Sequence, residues 1–127
     1  MSRPAISEST KTFLRTKVGG VDALEILLLL HGEPQTEFSP QMVFQQVQTS
    51  HSAVSTRLEH LRQQGLLLRH GTRHSPLYQA DLKDPARTEF IARLRELYEL
   101  RRVSVIEALY EPSPAAEFQA TSPLKRN

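Results

Sequence analysis

The sequence predicts a mainly α-helical protein with one small β-hairpin near its middle. Three observations support this fold class. Apolar residues recur at helical spacing in several segments, residues that favour helix ends stand beside those segments, and two short apolar runs flank a polar loop at 71–76. The 127 residues suffice for one domain, and we find no internal repeat.

The first part of the chain predicts two helices that a pair of glycines separates. Ser7–Lys17 is suited to a short helix, which Gly19-Gly20 ends. Val21–His31 carries apolar residues around most of its circumference, which predicts a buried helix. Gly32 stands at the carboxyl end of that helix, where glycine is favoured.

A Ser-Pro pair predicts the start of the next helix. Ser39 is a good N-cap and proline is favoured at the first helical position, so we predict a helix over Pro40–Gln46. A turn follows, and a second helix is predicted over Ser50–Gly65. Its single apolar stripe is formed by Val54, Leu58 and Leu61.

Two apolar runs, Leu66–His70 and Leu77–Ala80, predict a pair of strands joined by the loop Gly71–Pro76. Asp84-Pro85 then opens a C-terminal helix whose apolar residues continue to Tyr110, as one long helix or with a break. The prolines that follow predict a flexible tail. The predicted parts are an N-terminal arm with a short helix at 1–20, a central unit at 21–82, a C-terminal helix at 83–110 and the tail at 111–127.

Composition excludes several functional classes. The chain has no cysteine, so disulfides, cysteine-based zinc sites, iron–sulfur clusters and thiol catalysis are excluded, and we expect no cofactor and no bound metal. The most apolar stretch, Ala23–Leu30, is too short to span a bilayer and contains Glu25. The N-terminus carries no secretory signal, so we predict a soluble cytoplasmic protein that does not bind a membrane.

The segment Ser39–Leu67 resembles the helix-turn-helix of the MarR/ArsR-type winged-helix regulators. The resemblance rests on Ala53-Val54-Ser55, Leu58, Leu61, Gly65-Leu66 and the basic hairpin Arg69–Gln79. The turn departs from the pattern, with Gln48 where glycine is usual and Thr49 where an apolar residue is usual. The resemblance implies a winged helix-turn-helix and a sequence-specific, double-stranded-DNA-binding transcriptional regulator. Ser50–Gly65 would be its recognition helix and 69–76 its wing.

Positive charge is concentrated in this segment. Residues 49–80 contain four arginines and a single acid, Glu59, an excess of +3, whereas the whole chain has +2. Such a basic footprint is typical of nucleic-acid contact. Arg57 is the leading base-reading or phosphate-clamping residue, and Arg73 with His74 would contact the minor groove or the backbone. The candidate DNA-binding residues are His51, Ser52, Ser55, Thr56, Arg57, His60, Arg62, Arg69, Arg73 and His74.

The C-terminal helix carries more apolar residues than one face of a small domain can bury, which predicts a homodimer. Such a dimer would bind a palindromic operator with half-sites about one helical turn apart. The tail at 111–127 is a candidate segment for binding a protein partner. The candidate dimer-interface residues are Phe90, Leu94, Leu97, Tyr98, Val105, Ile106 and Leu109.

The same residues leave one alternative function open, a winged-helix protein–protein adaptor that does not bind DNA. A metal site is disfavoured because His70 and His74 lie across a hairpin tip, without cysteine or an acidic cluster beside them. We find no nucleophile elbow and no phosphate-binding glycine loop, so we predict that the protein is not an enzyme. Asp22 and Glu25 are interpreted as exposed helix residues.

Overall fold

The computed structural model describes residues 6–110, and the structural statements below concern that range. The predicted tail, and the first five residues of the predicted arm, lie outside it. The order of elements is α1 (Glu8–Phe13), a π-helical turn (Leu14–Val18), α2 (Val21–Gly32), α3 (Pro40–Phe44), α4 (His51–Gln63), β1 (Leu67–Gly71), β2 (Pro76–Ala80), α5 (Pro85–Leu100) and α6 (Arg102–Tyr110). The protein is therefore mainly helical with one hairpin, as the sequence predicts.

Helix α2 runs through the centre of the domain and contacts α4, α5 and β2. Its buried side chains lie around most of its circumference, while Asp22, Glu25 and Leu29 lie on one face that is partly exposed. The buried side chains are Ala23, Leu24, Ile26, Leu27, Leu28 and Leu30. The predicted buried helix is thus confirmed, and α4 packs against it.

Local caps begin the helices where the sequence predicts them. The Ser39 hydroxyl accepts from the Met42 amide at 3.1 Å, and the Ser50 hydroxyl accepts from the Ala53 amide at 3.1 Å. Each cap supplies a partner for an amide that the first helical turn leaves unbonded. Helix α3 ends two residues earlier than predicted, at Phe44, so a longer connection leads into α4.

The β1–β2 hairpin is antiparallel, with Leu67 opposite Ala80 and Gly71 opposite Pro76. Gly71 has φ +82°, and a Cβ there would lie 2.4 Å from the Ser75 carbonyl oxygen, so this corner of the hairpin requires glycine. The sequence did not predict that Phe38 pairs with β2. The Phe38 and Tyr78 backbones exchange two hydrogen bonds, of 2.7 and 2.8 Å, which tie the hairpin to the segment before α3.

The C-terminal helix breaks at Arg101, whose φ and ψ are −139° and 57°. Helix α6 then folds back onto α5 and the π-helical turn, and it buries Val105, Ala108 and Leu109. A straight helix would carry those apolar side chains away from the core, whereas burying a valine or leucine contributes about 1.5–3 kcal/mol. No glycine or proline marks the break, so tertiary packing determines where it occurs.

Candidate nucleic-acid interface

Helix α4 is held by one face and exposes the other. Its predicted stripe is fully buried, with Val54, Leu58 and Leu61 each at 0% exposure. The opposite face presents Ser52, Ser55 and Thr56 to solvent. Ser55 and Thr56 make no side-chain hydrogen bond to any residue within 6–110. Their hydroxyl groups are therefore free to bind an external donor or acceptor.

The start of α4 is fixed against α3 by an aromatic contact. The His51 ring stacks on the Phe44 ring, with centroids 3.7 Å apart and planes inclined by 19°. His51 is nevertheless exposed, as a predicted DNA-binding residue should be. The sequence did not indicate the stacking, because the two residues lie on different helices and the connection between them has no regular structure.

Arg57 lies apart from the exposed hydroxyl groups, because its side chain turns back toward α2. Its Nε donates to both carboxylate oxygens of Asp22, each at 3.1 Å. The side chain keeps 42% of its exposure, but its charge is paired within the protomer. The interpretation of Asp22 as an exposed helix residue is wrong, since its side chain is only 23% exposed and holds Arg57.

Glu59 is the centre of a cluster that joins α4 to both strands of the hairpin. Its Oε1 accepts from Arg62 Nε and Nη2 at 3.1 and 2.8 Å. Its Oε2 accepts from Arg69 Nη1 at 2.9 Å and from the Tyr78 hydroxyl at 2.6 Å. We call these four residues the Glu59 cluster. Two of the predicted DNA-binding arginines, Arg62 and Arg69, therefore share one carboxylate.

The Glu59 cluster shifts the titration of both of its acidic groups. The hydrogen bonds from Arg62, assisted by that from Tyr78, lower the pKa of Glu59 from 4.5 to about 2. Burial, together with the hydrogen bond to Glu59, raises the pKa of Tyr78 from 10.0 to about 12. Around neutral pH the carboxylate is charged and the phenol is neutral, so the cluster retains one net positive charge.

His60 also has a partner inside the protomer. Its Nε2 lies 3.0 Å from the Lys17 carbonyl oxygen, at the end of the π-helical turn. The carbonyl oxygen can only accept, so Nε2 is the donor of this hydrogen bond. His60 therefore helps to hold α4 against the N-terminal segment, a role that the sequence did not indicate.

The tip of the hairpin is open to solvent. Its turn is closed by the Ser75 amide, which donates to the Thr72 hydroxyl at 3.0 Å. Arg73 and His74 are exposed there, and neither makes a hydrogen bond or ion pair with any residue in the described range. The structure thus leaves both predicted wing-tip residues free for an external ligand.

The turn between α4 and β1 is anchored from two sides. Arg87 of α5 donates from Nη2 to the Gly65 carbonyl oxygen at 2.7 Å. His31 of α2 lies with Nε2 3.0 Å from the Leu66 carbonyl oxygen, and burial lowers the pKa of this histidine. Helices α5 and α2 therefore both hold the turn that joins α4 to the hairpin.

The structure divides the candidate dimer-interface residues between the core and the surface. Leu94, Tyr98, Val105 and Leu109 are at most 9% exposed and fill the core of the protomer, so they present almost no surface to a second copy. Phe90, Leu97 and Ile106 are half-buried. The strongly exposed apolar side chains at this end are Leu100 at 83%, Val103 at 67% and Tyr110 at 62%.

A second glutamate cluster provides a hydrogen-bond partner for the hydroxyl of the buried Tyr98. Its hydroxyl donates to Glu25 Oε2 at 2.8 Å, and Arg102 Nη2 donates to the same oxygen at 2.9 Å. Because burial and this hydrogen bond disfavour the phenolate, the pKa of Tyr98 rises to about 12. The interpretation of Glu25 as a simply exposed residue is wrong, since this side chain links α2 to both α5 and α6.

Two other kinds of site are not found in residues 6–110. No group of three histidine, aspartate or glutamate side chains in this range is arranged to hold a metal ion. None of the helices in the same range combines the length and the apolar character that crossing a bilayer requires.

One comparison with a solved structure supports the fold. The structure is similar to that of HlyU from Vibrio cholerae, a winged-helix regulator, with a TM-score of 0.53 and 25% identity over 72% of this chain and 96% of that chain. BpsR from Bordetella bronchiseptica, whose DNA binding is regulated by 6-hydroxynicotinic acid, gives a TM-score of 0.49 and 14% identity over 93% of this chain and 82% of that chain. No protein-family model and no curated protein matches the sequence. The chain has a winged-helix regulator fold.

Proposed function

We propose that this protein is a transcriptional regulator that binds double-stranded DNA as a dimer, with α4 in the major groove and the β1–β2 hairpin beside it. The observations that carry the proposal are the free polar surface on the first half of α4 and the exposed hairpin tip with an unpaired arginine. An exposed helix face of this kind fits the major groove. The winged-helix fold supports the same function.

The residues divide into two roles in this proposal. Ser52, Ser55 and Thr56 read base edges or bind phosphates, because their short hydroxyl side chains donate and accept hydrogen bonds. Arg73 and His74 contact the backbone or the minor groove from the hairpin tip. Arg57, His60 and the Glu59 cluster hold α4 and the hairpin in place, since their polar groups are bonded within the protomer.

The fold and the exposed apolar surface of the terminal helices support a dimer and a symmetric operator. Two copies related by a two-fold axis would present two α4 helices to one duplex. Such a dimer binds a palindromic or pseudo-palindromic site whose half-sites lie about 34–36 Å apart. Exposed Leu100 and Val103 support a contact through the terminal helices, because apolar surface of this kind favours association.

A titration on duplex DNA tests the proposal. We expect the protein to bind a random duplex at low salt, and log affinity to fall linearly with log salt concentration as counterions are released. Arg73→Ala should reduce that slope by about 1. Arg95→Ala is the matched control, because it removes the same charge from α5, outside the helix and hairpin assigned to DNA.

Failure to bind duplex DNA would contradict the proposal. If the folded protein does not bind random duplex at micromolar concentration in low salt, DNA binding is wrong and the adaptor function is favoured. If it binds random duplex, selection from a random pool then gives the preferred site and its symmetry. A selected site without two-fold symmetry would contradict the dimeric mode but not DNA binding itself.

A further inference from the structure

The exposed face of α4 has two borders, and different elements of the fold form them. Thr56 and Gln63 are both exposed and lie close to two helical turns apart, so they mark the line of this face. Successive helical residues are about 100° apart, so Glu59 lies about 60° to one side of Thr56 and His60 about 40° to the other. The hairpin is attached on the Glu59 side, through the Glu59 cluster.

The border on the His60 side is formed by Lys17, near the end of the π-helical turn. His60 Nε2 donates to the Lys17 carbonyl oxygen at 3.0 Å, so the main chain of residue 17 lies directly beside the exposed face of α4. The Lys17 side chain is exposed, and it makes no hydrogen bond or ion pair with any residue in the described range. A free ammonium group therefore lies beside the surface assigned to DNA, across α4 from the hairpin.

The main chain that carries Lys17 is fixed by its neighbours. Leu14 and Val18 are 0% and 2% exposed, which holds the π-helical turn against the core. The Gly19 amide donates to the Leu14 carbonyl oxygen at 2.8 Å, and Gly19 ends the turn with φ +93°. Turns of this wide type are frequent at functional sites. The Lys17 side chain thus extends from an ordered backbone, which lowers the entropy that a ligand contact would cost.

The acidic groups closest in sequence to Lys17 already have partners. Glu8 and Asp22 are the acids within residues 6–22. Glu8 pairs with Lys11 at 3.7 Å, and Asp22 pairs with Arg57 at 3.1 Å. The positive charge of Lys17 is therefore available to an external anion.

We propose that Lys17 binds a backbone phosphate of the duplex, on the wall of the major groove opposite to the wall beside the hairpin. The proposal rests on the DNA binding proposed above and adds a contact from the N-terminal segment. The major groove is about 12 Å wide and a helix with its side chains is about 10–12 Å across, so a helix in the groove has a phosphate backbone on each side. Lysine suits such a phosphate as a compact point charge.

The contact would position α4 without reading sequence, because phosphate contacts fix the register and orientation of a protein on the duplex. The hairpin and Lys17 would hold α4 from its two sides. The hydrogen bond from His60 would transmit this positioning, since it joins the backbone of residue 17 to α4 itself.

Removal of the Lys17 charge tests the contact, with fluorescence-anisotropy titrations on random duplex over a series of salt concentrations. Lys17→Ala should reduce the slope of log affinity against log salt concentration by about 1, and Lys17→Arg should retain it. Both variants keep the main-chain carbonyl that accepts from His60. Lys11→Ala is the matched control and should leave the slope unchanged, because that ammonium group is already paired with Glu8. Circular dichroism verifies that each variant is folded.

A phosphate scan on the selected duplex locates the contact. Neutral methylphosphonate groups replace one phosphate at a time, and the position that weakens the wild type but not Lys17→Ala is the phosphate bound by Lys17. The same scan with Arg73→Ala locates the phosphate closest to the hairpin tip. We expect the two positions on opposite walls of the major groove.

The outcomes separate this contact from the proposed function. A wild-type protein that binds duplex while Lys17→Ala keeps the full salt slope would overturn the contact and leave DNA binding intact. Two phosphates on the same wall would overturn the placement of Lys17 across α4 from the hairpin. A wild-type protein that does not bind duplex would contradict the proposed function itself, and the Lys17 contact with it.

Discussion

The two halves of α4 use their polar side chains in different ways. In the first half, Ser55 and Thr56 are exposed, and their hydroxyl groups make no hydrogen bond within the described residues. In the second half, Arg57, Glu59 and His60 are each bonded to another element of the fold. A single helix thus joins a surface that is free to bind a ligand to a surface that is already in use.

This difference shows that a local excess of positive charge overstates the charge available to a ligand. Of the four arginines in residues 49–80, three are paired with carboxylates, namely Arg57, Arg62 and Arg69. Asp22, which neutralises Arg57, lies on α2 and outside the counted segment. Arg62 and Arg69 share the single carboxylate of Glu59, so that cluster retains one positive charge, and Arg73 is the one arginine of the four without a partner in the described structure.

The largest effect on stability is expected for substitution of Glu59, in the second half of α4. Glu59→Ala removes the acceptor of Arg62, Arg69 and Tyr78, and it leaves the buried phenol without a partner. We expect the free energy of unfolding to fall by about 2–3 kcal/mol, since a hydrogen bond to a charged group contributes about 1.5–3 kcal/mol. Denaturant unfolding followed by circular dichroism measures this change.

Glu99→Ala is the control for that substitution. Glu99 is an exposed glutamate on α5, and its removal should change the unfolding free energy by less than about 0.5 kcal/mol. Equal effects of the two substitutions would mean that the Glu59 cluster does not stabilise the attachment of the hairpin.

The contribution of Glu59 should also depend on pH. The pKa of Glu59 is lowered from 4.5 to about 2, so the charged form is favoured in the folded chain. Stability from such a group is present above its unfolded pKa and is lost as pH falls through its folded pKa. The difference in unfolding free energy between wild type and Glu59→Gln should therefore be constant above pH 4.5 and shrink between pH 4.5 and 2.

Unfolding curves of the two proteins across this range measure the effect. Comparison with the variant cancels the titration of groups that both chains share, such as His31. A difference that is still undiminished at about pH 2 would contradict the assignment of the carboxylate as the charged centre.

A smaller effect is expected for substitution of Thr56, in the first half of α4, and it should concern DNA binding alone. Thr56→Ala should lower the preference for the selected duplex over random duplex by about fivefold, or about 1 kcal/mol, because one hydrogen bond is lost. The unfolding free energy should change by less than about 0.5 kcal/mol, since the hydroxyl has no partner within the described residues. Thr12→Ala, at an exposed threonine of α1, is the control. A large loss of stability in Thr56→Ala would show that this half is anchored too.

The smallest effect is expected for Arg57, the residue that the sequence placed first among the DNA contacts. Arg57→Ala should lower the unfolding free energy by about 0.5–1 kcal/mol, the usual contribution of a partly exposed ion pair. It should leave the salt dependence of random-duplex binding unchanged, in contrast to Arg73→Ala. A slope reduced as much as in Arg73→Ala would mean that the guanidinium leaves Asp22 to bind a phosphate.

The elements that follow from local pattern were predictable from the sequence. Ser39 and Ser50 begin their helices because a hydroxyl can bond a free amide within three residues, and both residues are read directly from the chain. The stripe of Val54, Leu58 and Leu61 predicted the buried face of α4 because spacing alone sets which side chains share a face.

The parts that sequence reasoning missed depend on contacts between distant residues. Arg57 and Asp22 are 35 residues apart, and nothing in either local pattern indicates that they meet. The break at Arg101 is set by the burial of α6, without a helix-breaking residue to mark it. One feature of the sequence indicated the Glu59 cluster, because Glu59 is the single acid in a basic segment. Its partners on the hairpin become apparent only once β1 and β2 are paired.

The hydrogen bond from Arg87 to the Gly65 carbonyl oxygen would help to fix the distance between the two α4 helices of the proposed dimer. Arg87 lies on α5, one of the terminal helices of the proposed dimer contact, and Gly65 lies in the turn that follows α4. The two α4 helices would therefore be connected through the terminal helices, and not through flexible loops. Such a dimer measures the spacer between half-sites, so inserting a single base pair between them should be poorly tolerated.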